Sequence, residues 1–440
     1  MAQHGQHTSY QQRIEIGEQA AAGASDRQIA EAVECSVWTV RKWRRIYQQH
    51  GWAGLVSHLG RPAKGALASY SSALREQIEQ VRRQHPGWGA PSILDHLQCQ
   101  QPELAGALPS RARVAAFLKA QGLTRRYERH GGVRQNKPAG ATQPHEEWEM
   151  DAQGVQTVES LGPVSVVNIS DVVSRVKVAS YPHLGGHLDM DSYQLALRSA
   201  FVEYGLPWRI TLDHDSAWYD STSSSPFPSR LHLWLVALGI DVIFIDKPPP
   251  AAHAIIERTH QTMSKQALVG QPCSSQSGLW YRLDERRAAL NRRLPCRSLG
   301  GQPPLSAYPQ AAQAPRPYRL EWEEDLLDLS QVDALLASGR WFRQANRHGE
   351  FFLSTQRYNQ GKAHASETIE ITFDPIAHEF LAKSQGSDFS KRFPALGLTK
   401  ANLMGGPNTL NLPNYQFCLP FLKAERCPGR AEQQPTGTTL

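Results

Sequence analysis

Features of several common protein classes are absent from this 440-residue sequence. Its six cysteines are scattered without a CxxC pair, which argues against a zinc site or a dithiol redox centre. It contains neither a phosphate-binding loop of the GxxxxGK type nor a GxSxG nucleophile turn. No apolar run approaches the roughly 18 residues of a membrane span, and the first residues do not resemble a secretory signal. We therefore expect a cytoplasmic protein with no membrane partner and no nucleotide cofactor.

Charge is present in abundance, but its distribution is uneven. The net charge is +6, yet residues 1–140 carry 19 Lys and Arg against 10 Asp and Glu, whereas the rest of the chain carries 28 against 31. The positive excess thus lies in the N-terminal third. Such an asymmetry predicts a polyanion-binding region joined to a part that is not itself basic.

The first basic segment has the pattern of a helix-turn-helix unit. Ser25 can cap a short helix from Asp26 to Val33, and a three-residue break precedes a longer helix that runs to about Gln48. One face of the longer helix carries an aromatic residue and three basic residues, Trp38, Arg41, Lys42 and Arg45. In helix-turn-helix domains such a helix enters the major groove of double-stranded DNA. We place this domain at residues 10–58; an ordinary helical hairpin with a solvated basic face is the alternative.

A second helical DNA-binding unit is predicted at residues 66–130, after a Gly/Pro/Lys linker that can track a phosphate backbone. Its third helix is capped by Ser110 and stops at Gly122. Basic residues lie in the linker and beside the third helix, and DNA contacts are predicted for Arg61, Lys64, Arg111, Arg113, Arg125 and Arg126. Residues 131–144, rich in Gly, Pro, Asn and Gln, are expected to be an interdomain linker.

From Trp148 onward the pattern changes to short strands rich in β-branched residues. Three strands are predicted up to Tyr181, followed in order by a long helix, a strand, a helix, a strand and a further helix. This is the element order of a ribonuclease-H-like α/β fold, which we expect at residues 145–310.

That order places three acidic residues where they can converge, with Asp151 on the first strand, Asp213 at the end of the fourth and Glu257 on the last helix. Carboxylates are ligands that Mg²⁺ prefers, and two divalent ions about 3.5–4 Å apart are suited to cleaving a phosphodiester. Three converging carboxylates repel one another unless a cation or proton joins them. We therefore predict that these residues are catalytic and hold two Mg²⁺ or Mn²⁺ ions. Asp215 is the alternative to Asp213.

The C-terminal region alternates polar and apolar residues between glycine turns around residues 340–375. This pattern predicts a small β-barrel at residues 318–380. The tail, residues 386–440, ends in a polar segment and is expected to be partly disordered. The predicted fold class is therefore multidomain, with N-terminal all-α helix-turn-helix modules, a central ribonuclease-H-like α/β core and a C-terminal small β-barrel.

Five motifs follow one another through the core: WEMD (148–151), ISDVVSR (169–175), TLDHDSAW (211–218), PPPAAHAIIERTHQTM (248–263) and LNRRLPCRSLGGQPPLSAY (290–308). Their order and spacing resemble those of the DDE transposases of bacterial insertion sequences, which are relatives of retroviral integrases and of the Mu-type phage transposase. The paired N-terminal helical modules and the C-terminal region match as well. The resemblance covers roughly residues 10–375.

The resemblance implies a DNA transposase or integrase that binds transposon ends, cleaves them with the help of metal ions and joins them to target DNA. It implies that Asp151, Asp213 and Glu257 hold the ions, and that the protein forms a homo-oligomer on DNA. A catalytically inactive DNA-binding regulator derived from a transposase is the alternative, because Asp213-His214-Asp215 replaces the usual Asp-Asn-Gly. A ribonuclease acting on RNA–DNA hybrids shares the fold, but the two DNA-binding modules argue against it. His260 is expected to be a surface residue whose hydrogen bonds are satisfied, and a catalytic participant is the alternative.

Overall fold

The computed structural model describes residues 8–56, 65–104, 106–124, 140–186, 188–213, 218, 223–245, 254–270 and 272–405. The chain divides into two compact units, residues 1–75 and 76–440. Five residues with predicted roles lie outside the described ranges, namely Arg61, Lys64, Arg125, Arg126 and Asp215. The predicted linker, residues 131–144, is described only from residue 140. No helix of the described ranges is long and apolar enough to cross a membrane.

The N-terminal unit contains the helices α1 (Tyr10–Ala21), α2 (Asp26–Ala32) and α3 (Val37–Gly54). Each of the three helices is preceded by a serine, which is Ser9 for α1, Ser25 for α2 and Ser36 for α3. The side chain of each serine accepts a hydrogen bond from a backbone N–H in the first turn of its helix. The three helices enclose an apolar core made of Ile16, Ile29, Ala30, Val33, Val40, Trp43 and Leu55. The predicted short helix, break and longer helix are therefore present, and α1, which the sequence analysis did not identify, completes their core.

The second helical region consists of α4 (Ser72–Gln84), α5 (Ala90–Gln100) and α6 (Arg111–Ala120). Ser110 caps α6, and Gly122 follows it with a positive φ of 69°, as the sequence predicts for the end of that helix. The buried apolar side chains of these helices are Ile78, Val81, Ile93, Leu97, Val114, Phe117 and Leu118.

The α/β core is built on a five-stranded sheet. Its strands are β1 (Glu147–Val158), β2 (Gly162–Asp171), β3 (Lys177–Leu184), β4 (Arg209–Leu212) and β5 (Asp241–Phe244). The strand order is β3-β2-β1-β4-β5, with β1 to β3 antiparallel and β4 and β5 parallel to β1. Helices alternate with the later strands, as α7 (Met190–Tyr204), α8 (Arg230–Ala237), α9 (Ala254–Met263) and α10 (Gln276–Arg292). The predicted element order of the α/β core is confirmed.

The loop before α5 and α5 itself are docked on this core. The Trp88 indole N–H donates to the carbonyl of Gln266 at 2.8 Å, and the Arg293 guanidinium binds both oxygens of Asp95 at 2.7 and 3.2 Å. Gly87 allows the close approach, because a Cβ there would lie 1.5 Å from the carbonyl oxygen of Lys265. Residues 66–130 were predicted to form a separate domain. In the structure, helix α5 of this segment packs on the α/β core.

The C-terminal region differs from the predicted small β-barrel at residues 318–380. It begins with short helices, α11 (Pro304–Ala307), α12 (Glu323–Leu326) and α13 (Leu329–Ala337). Six strands follow, β6 (Trp341–Gln344), β7 (Glu350–Leu353), β8 (Gln356–Asn359), β9 (Thr368–Asp374), β10 (Glu379–Ser384) and β11 (Ser390–Pro394), and then α14 (Lys400–Met404). They form an open antiparallel sheet, β11-β10-β9-β6, and a β7–β8 hairpin. Ordered structure also continues past residue 386, where the tail was expected to begin.

The C-terminal strands share a hydrophobic core with the α/β core. Trp341 of β6 and Phe380 of β10 pack against Phe227, with ring centroids 4.8 and 5.9 Å apart. These residues belong to the same buried cluster as Trp148 of β1 and Phe201 of α7. The hairpin also packs on the sheet, since the rings of Phe351 and Tyr358 lie 5.7 and 5.6 Å from that of Phe393 on β11. The apolar faces of the C-terminal strands are therefore buried both against one another and against the α/β core.

A buried ion pair fastens this contact. The side chains of Arg198 on α7 and Glu323 on α12 are both 0% exposed and are joined by two hydrogen bonds of 2.8 and 2.6 Å. Trp234 donates its indole N–H to the same carboxylate at 2.9 Å, and the Tyr318 hydroxyl also donates to it. Arg198 further donates to the carbonyl of Met404 at 2.7 Å, which ties α14 to the core. One pair thus links the core, the C-terminal helices and the last described element.

We expect Arg198→Met to lower the free energy of unfolding by about 3–5 kcal/mol, because it leaves the Glu323 carboxylate buried without a cation. The double variant Arg198→Met, Glu323→Gln removes both charges and should lose clearly less. Urea unfolding monitored by tryptophan fluorescence measures both losses. Equal losses in the single and double variants would show that packing, and not the buried charge, accounts for the effect.

Candidate active site and DNA-binding face

The register of β1 and β4 brings the first two predicted acids together. The strands are paired in parallel, and the paired residues differ by 62 positions (209 − 147 = 62), namely Glu147 with Arg209, Trp148 with Ile210 and Glu149 with Thr211. The same difference separates Asp151, on β1, from Asp213, the residue directly after β4. Adjacent strands lie about 4.8 Å apart and paired residues point to the same face, so continuing this register two residues past its last pair, Glu149 with Thr211, predicts Asp151 level with Asp213.

Helix α9 lies over this face and runs in the same direction as β1. Its third residue, Ile256, donates its N–H to Glu149 at 3.0 Å, and His260 lies 3.0 Å from Asp151. One turn further, beyond the end of α9, the Ser264 hydroxyl donates to Gln156 at 3.0 Å. Contacts made further along this helical segment therefore reach residues further along β1.

Glu257 is the fourth residue of α9. Thr259, two residues later, shares a hydrogen bond of 2.8 Å with Ser170 on β2. Two residues correspond to about 160° between side-chain directions on a helix, so Glu257 points away from Ser170.

Glu149 is a buried acid of this face that the sequence analysis did not single out. Its side chain is 6% exposed and accepts one of the N–H groups in the first turn of α9 that has no partner within the helix. Burial raises the pKa of Glu149 to about 7; the N–H of Ile256 opposes this shift, and the carboxylates of Glu147 and Glu257 add to it. Glu149 therefore fixes the start of α9, and with it the position of Glu257.

His260 differs from the expectation of a surface residue. Its ring nitrogen Nε2 is 3.0 Å from Oδ2 of Asp151, and its Nδ1 is 2.8 Å from Nδ2 of Asn168 on β2. Asn168 is fully buried, and its Oδ1 accepts the hydroxyl of Ser180 on β3 at 2.6 Å. One hydrogen-bonded row thus crosses the sheet from β3 to β1 and ends at a predicted metal ligand.

A sequence signal for this row exists in β2. Val164 and Val166 face the α9 side and belong to the apolar cluster beneath it, whereas Asn168 and Ser170 continue the same face with polar side chains. A change from valine to polar residues at alternate positions of a buried strand indicates that the strand enters a polar site. The partner of Asn168 could not be identified from that pattern, because it lies 92 residues away.

The three acids are placed by these elements, but the described residues contain no group of three His, Cys, Asp or Glu side chains close enough to hold a metal ion. Asp213 is held through its backbone, since its carbonyl accepts the indole N–H of Trp218 at 2.7 Å. Carboxylates at the ends of parallel strands are hard oxygen donors, which is the chemistry that Mg²⁺ and Mn²⁺ require. Asp151, Asp213 and Glu257 therefore fit a divalent-ion site in donor type.

The predicted DNA-contacting face of α3 is exposed within the N-terminal unit. Trp38 is 74% exposed, the Arg41 side chain is 70% exposed, and Lys42 and Arg45 are also exposed. Asp26 pairs with two arginines of α3, at 3.3 Å with the exposed Arg41 and at 2.5 Å with Arg44, whose side chain is only 24% exposed. In α6, the predicted contacts Arg111 and Arg113 are exposed in the first turn.

The role of Glu149 predicts the behaviour of two substitutions. Glu149→Leu should leave the N–H of Ile256 buried without an acceptor, at a cost of about 1–3 kcal/mol in the free energy of unfolding. Glu149→Gln retains an acceptor oxygen and should cost less. Hydrogen exchange at the Ile256 amide is the measurement, and faster exchange is expected only in the leucine variant. Equal exchange in both variants would mean that Glu149 does not fix the start of α9.

The N-terminal region matches models of two DNA-binding families. A homeodomain-like domain matches residues 39–118, and a helix-turn-helix domain matches residues 12–63. The predicted helix-turn-helix unit is thereby confirmed.

Solved structures with similarity to this chain include viral integrase assemblies. The simian T-cell lymphotropic virus intasome in complex with the PP2A regulatory subunit B56 gamma is 12% identical, covers 70% of this chain and 97% of its own, and has a TM-score of 0.32. The catalytic core domain of the HTLV-2 integrase in complex with magnesium is 13% identical in its dimeric form and 14% in its trimeric form. These two matches cover 37% and 38% of this chain and 94% and 97% of their own, each with a TM-score of 0.28.

The helix-turn-helix unit and the element order of the core were both predicted from the sequence. The chain therefore combines a DNA-binding helix-turn-helix region with a mixed α/β core.

Proposed function

We propose that this chain is a DNA transposase or integrase that binds the ends of a mobile element and joins them to target DNA as a homo-oligomer. The observations that support the proposal are the parallel register of β1 with β4, after which Asp213 follows, and the packing of α9, which carries Glu257, on β1 beside Asp151. The DNA-binding families matched by the N-terminal region support it independently.

In this proposal Asp151, Asp213 and Glu257 hold two Mg²⁺ or Mn²⁺ ions. When bound, such ions supply positive charge to the phosphate oxygens and lower the pKa of a coordinated water. Water attacks the phosphodiester at the end of the element and releases a 3′ hydroxyl, which then attacks a phosphodiester of the target. In the first step water replaces the 3′ oxygen on phosphorus, and in the second step the 3′ hydroxyl replaces an oxygen of the target strand on phosphorus. Neither step needs a covalent protein intermediate or a nucleotide cofactor.

Asp151→Asn, Asp213→Asn and Glu257→Gln should each reduce end cleavage and strand transfer by more than about 100-fold, because the charge stabilisation lost is worth several kcal/mol. Binding of end DNA should persist, since the helix-turn-helix face is unchanged. Gel assays with Mg²⁺ or Mn²⁺ on DNA that carries the element ends measure both activities. Glu159→Gln, an exposed acid just after β1, is the matched control.

The middle acid has a specific alternative. If Asp215→Asn abolishes strand transfer and Asp213→Asn does not, Asp215 takes the role assigned to Asp213. Strand transfer that survives Asp151→Asn would contradict the proposed reaction site as a whole.

Substitutions on α3 test the DNA-binding face. Arg45→Gln should weaken binding of end DNA and lower the slope of log affinity against log salt concentration by about 1, because one phosphate contact is lost. Arg44→Gln is the matched control, since it removes the same charge from the same helix, where the side chain is less exposed and pairs with Asp26. Fluorescence anisotropy over a salt series provides the measurement. Equal changes in both variants would show that this face does not contact DNA.

A DNA-binding regulator without catalytic activity is the second candidate. It is favoured by the altered second motif, in which Asp213-His214-Asp215 stands where the resembling families usually have Asp-Asn-Gly. The metal-dependent cleavage assay separates the two functions, because a regulator binds the end DNA and leaves it uncut. Matched inverted repeats flanking the gene would provide the natural DNA for this assay.

A further inference from the structure

We propose that His260 is a positioning residue, which holds Asp151 in the orientation that binds the metal ion, and that Asn168 and Ser180 fix the ring of His260 for this purpose. The proposal rests on the function proposed above. It concerns three residues that the sequence motifs leave without a role, and it follows from the hydrogen-bonded row that crosses β3, β2 and β1.

The atoms of the row are arranged so that each hydrogen bond can be made. The Ser180 hydroxyl donates to Oδ1 of Asn168, and the Asn168 amide nitrogen faces Nδ1 of His260 at 2.8 Å. An amide nitrogen donates, so in this arrangement Nδ1 of His260 accepts. Nε2, the other ring nitrogen, then donates to Oδ2 of Asp151 at 3.0 Å.

Both ring nitrogens of His260 are used by these bonds, which distinguishes it from a metal ligand. To bind an ion through Nε2 it would have to release Asp151, and through Nδ1 it would have to release the buried Asn168. His260 can instead act through Asp151, whose Oδ2 it engages while Oδ1 has no hydrogen-bond partner among the described residues. Hydrogen bonds from neighbouring groups commonly orient carboxylates that bind metals.

A purely structural role accounts poorly for this row. Asn168 is fully buried between Val167 and Ile169, and Ser180 is 6% exposed between Ala179 and Tyr181. A buried polar row requires that every member be satisfied, whereas an apolar side chain at position 168 would only have to pack. Its outer end is Asp151, whose side chain is 28% exposed, so the row leads from the interior of the sheet to an accessible carboxylate.

The test measures binding of Mn²⁺ alone to the full chain, from the loss of the electron paramagnetic resonance signal of the free ion. Asp151→Asn locates the site and should weaken Mn²⁺ binding strongly. His260→Leu, which donates no hydrogen bond, should weaken it by about 10- to 100-fold, the range typical of groups that orient metal ligands. His260→Gln, which can both donate and accept, should recover most of this loss.

Asn168→Val provides a second variant that leaves His260 in place but removes the group that orients its ring. It should weaken Mn²⁺ binding in the same direction as His260→Leu, which keeps the test decisive if the leucine variant does not fold. Thermal unfolding in EDTA, which is independent of the ion, verifies the fold of each variant.

The outcomes separate this inference from the function on which it rests. Unchanged Mn²⁺ binding in Asp151→Asn would contradict the proposed metal site itself. Weakened binding in Asp151→Asn, together with unchanged binding in folded His260→Leu or Asn168→Val, would overturn the positioning role alone. Failure of His260→Gln to recover binding beyond the level of His260→Leu would likewise overturn it, because the role depends on a donated hydrogen bond.

Discussion

The parallel pairing of β1 with β4 is the constraint on which the candidate site depends. A one-residue slip of that ladder would turn Asp151 and Asp213 to opposite faces, because side chains alternate along a strand. The register is reinforced by side chains as well as by the backbone, since Glu147 on β1 binds Arg209 on β4 at 3.2 Å and accepts the Thr211 hydroxyl at 2.8 Å. The pairs that fix the register thus lie within four residues of the acids that depend on it.

Burial of polar groups, and not only of apolar ones, holds the surrounding elements in place. Arg198 and Glu323 join the core to the C-terminal helices, and Glu149 joins α9 to β1. Such groups cost free energy unless each finds a partner, so they permit few alternative arrangements. The C-terminal strands also share a hydrophobic core with α7 and α8.

Local patterns in the sequence were sufficient for the elements but not for the contacts between them. Ser25 and Ser110 mark helix starts by capping chemistry that acts over three residues, and the alternation of β1 and β2 is equally local. Asp151, Asp213 and Glu257 could be assigned because element order places them. The β-barrel was predicted from alternation alone, which cannot distinguish a closed sheet from an open one packed on a neighbour. His260 appeared to be a surface residue because its partners, Asp151 and Asn168, are about a hundred positions away.

Three acids lie along one face of β1, and each has a different environment. Glu147 lies 3.2 Å from the guanidinium of Arg209, which also pairs with Glu146 at 2.7 Å. Glu149 is buried against the N–H of Ile256, and burial raises its pKa to about 7. Asp151 lies 3.0 Å from the ring of His260, and its side chain is 28% exposed. Of the three, Asp151 is therefore the carboxylate most accessible to an ion from solution.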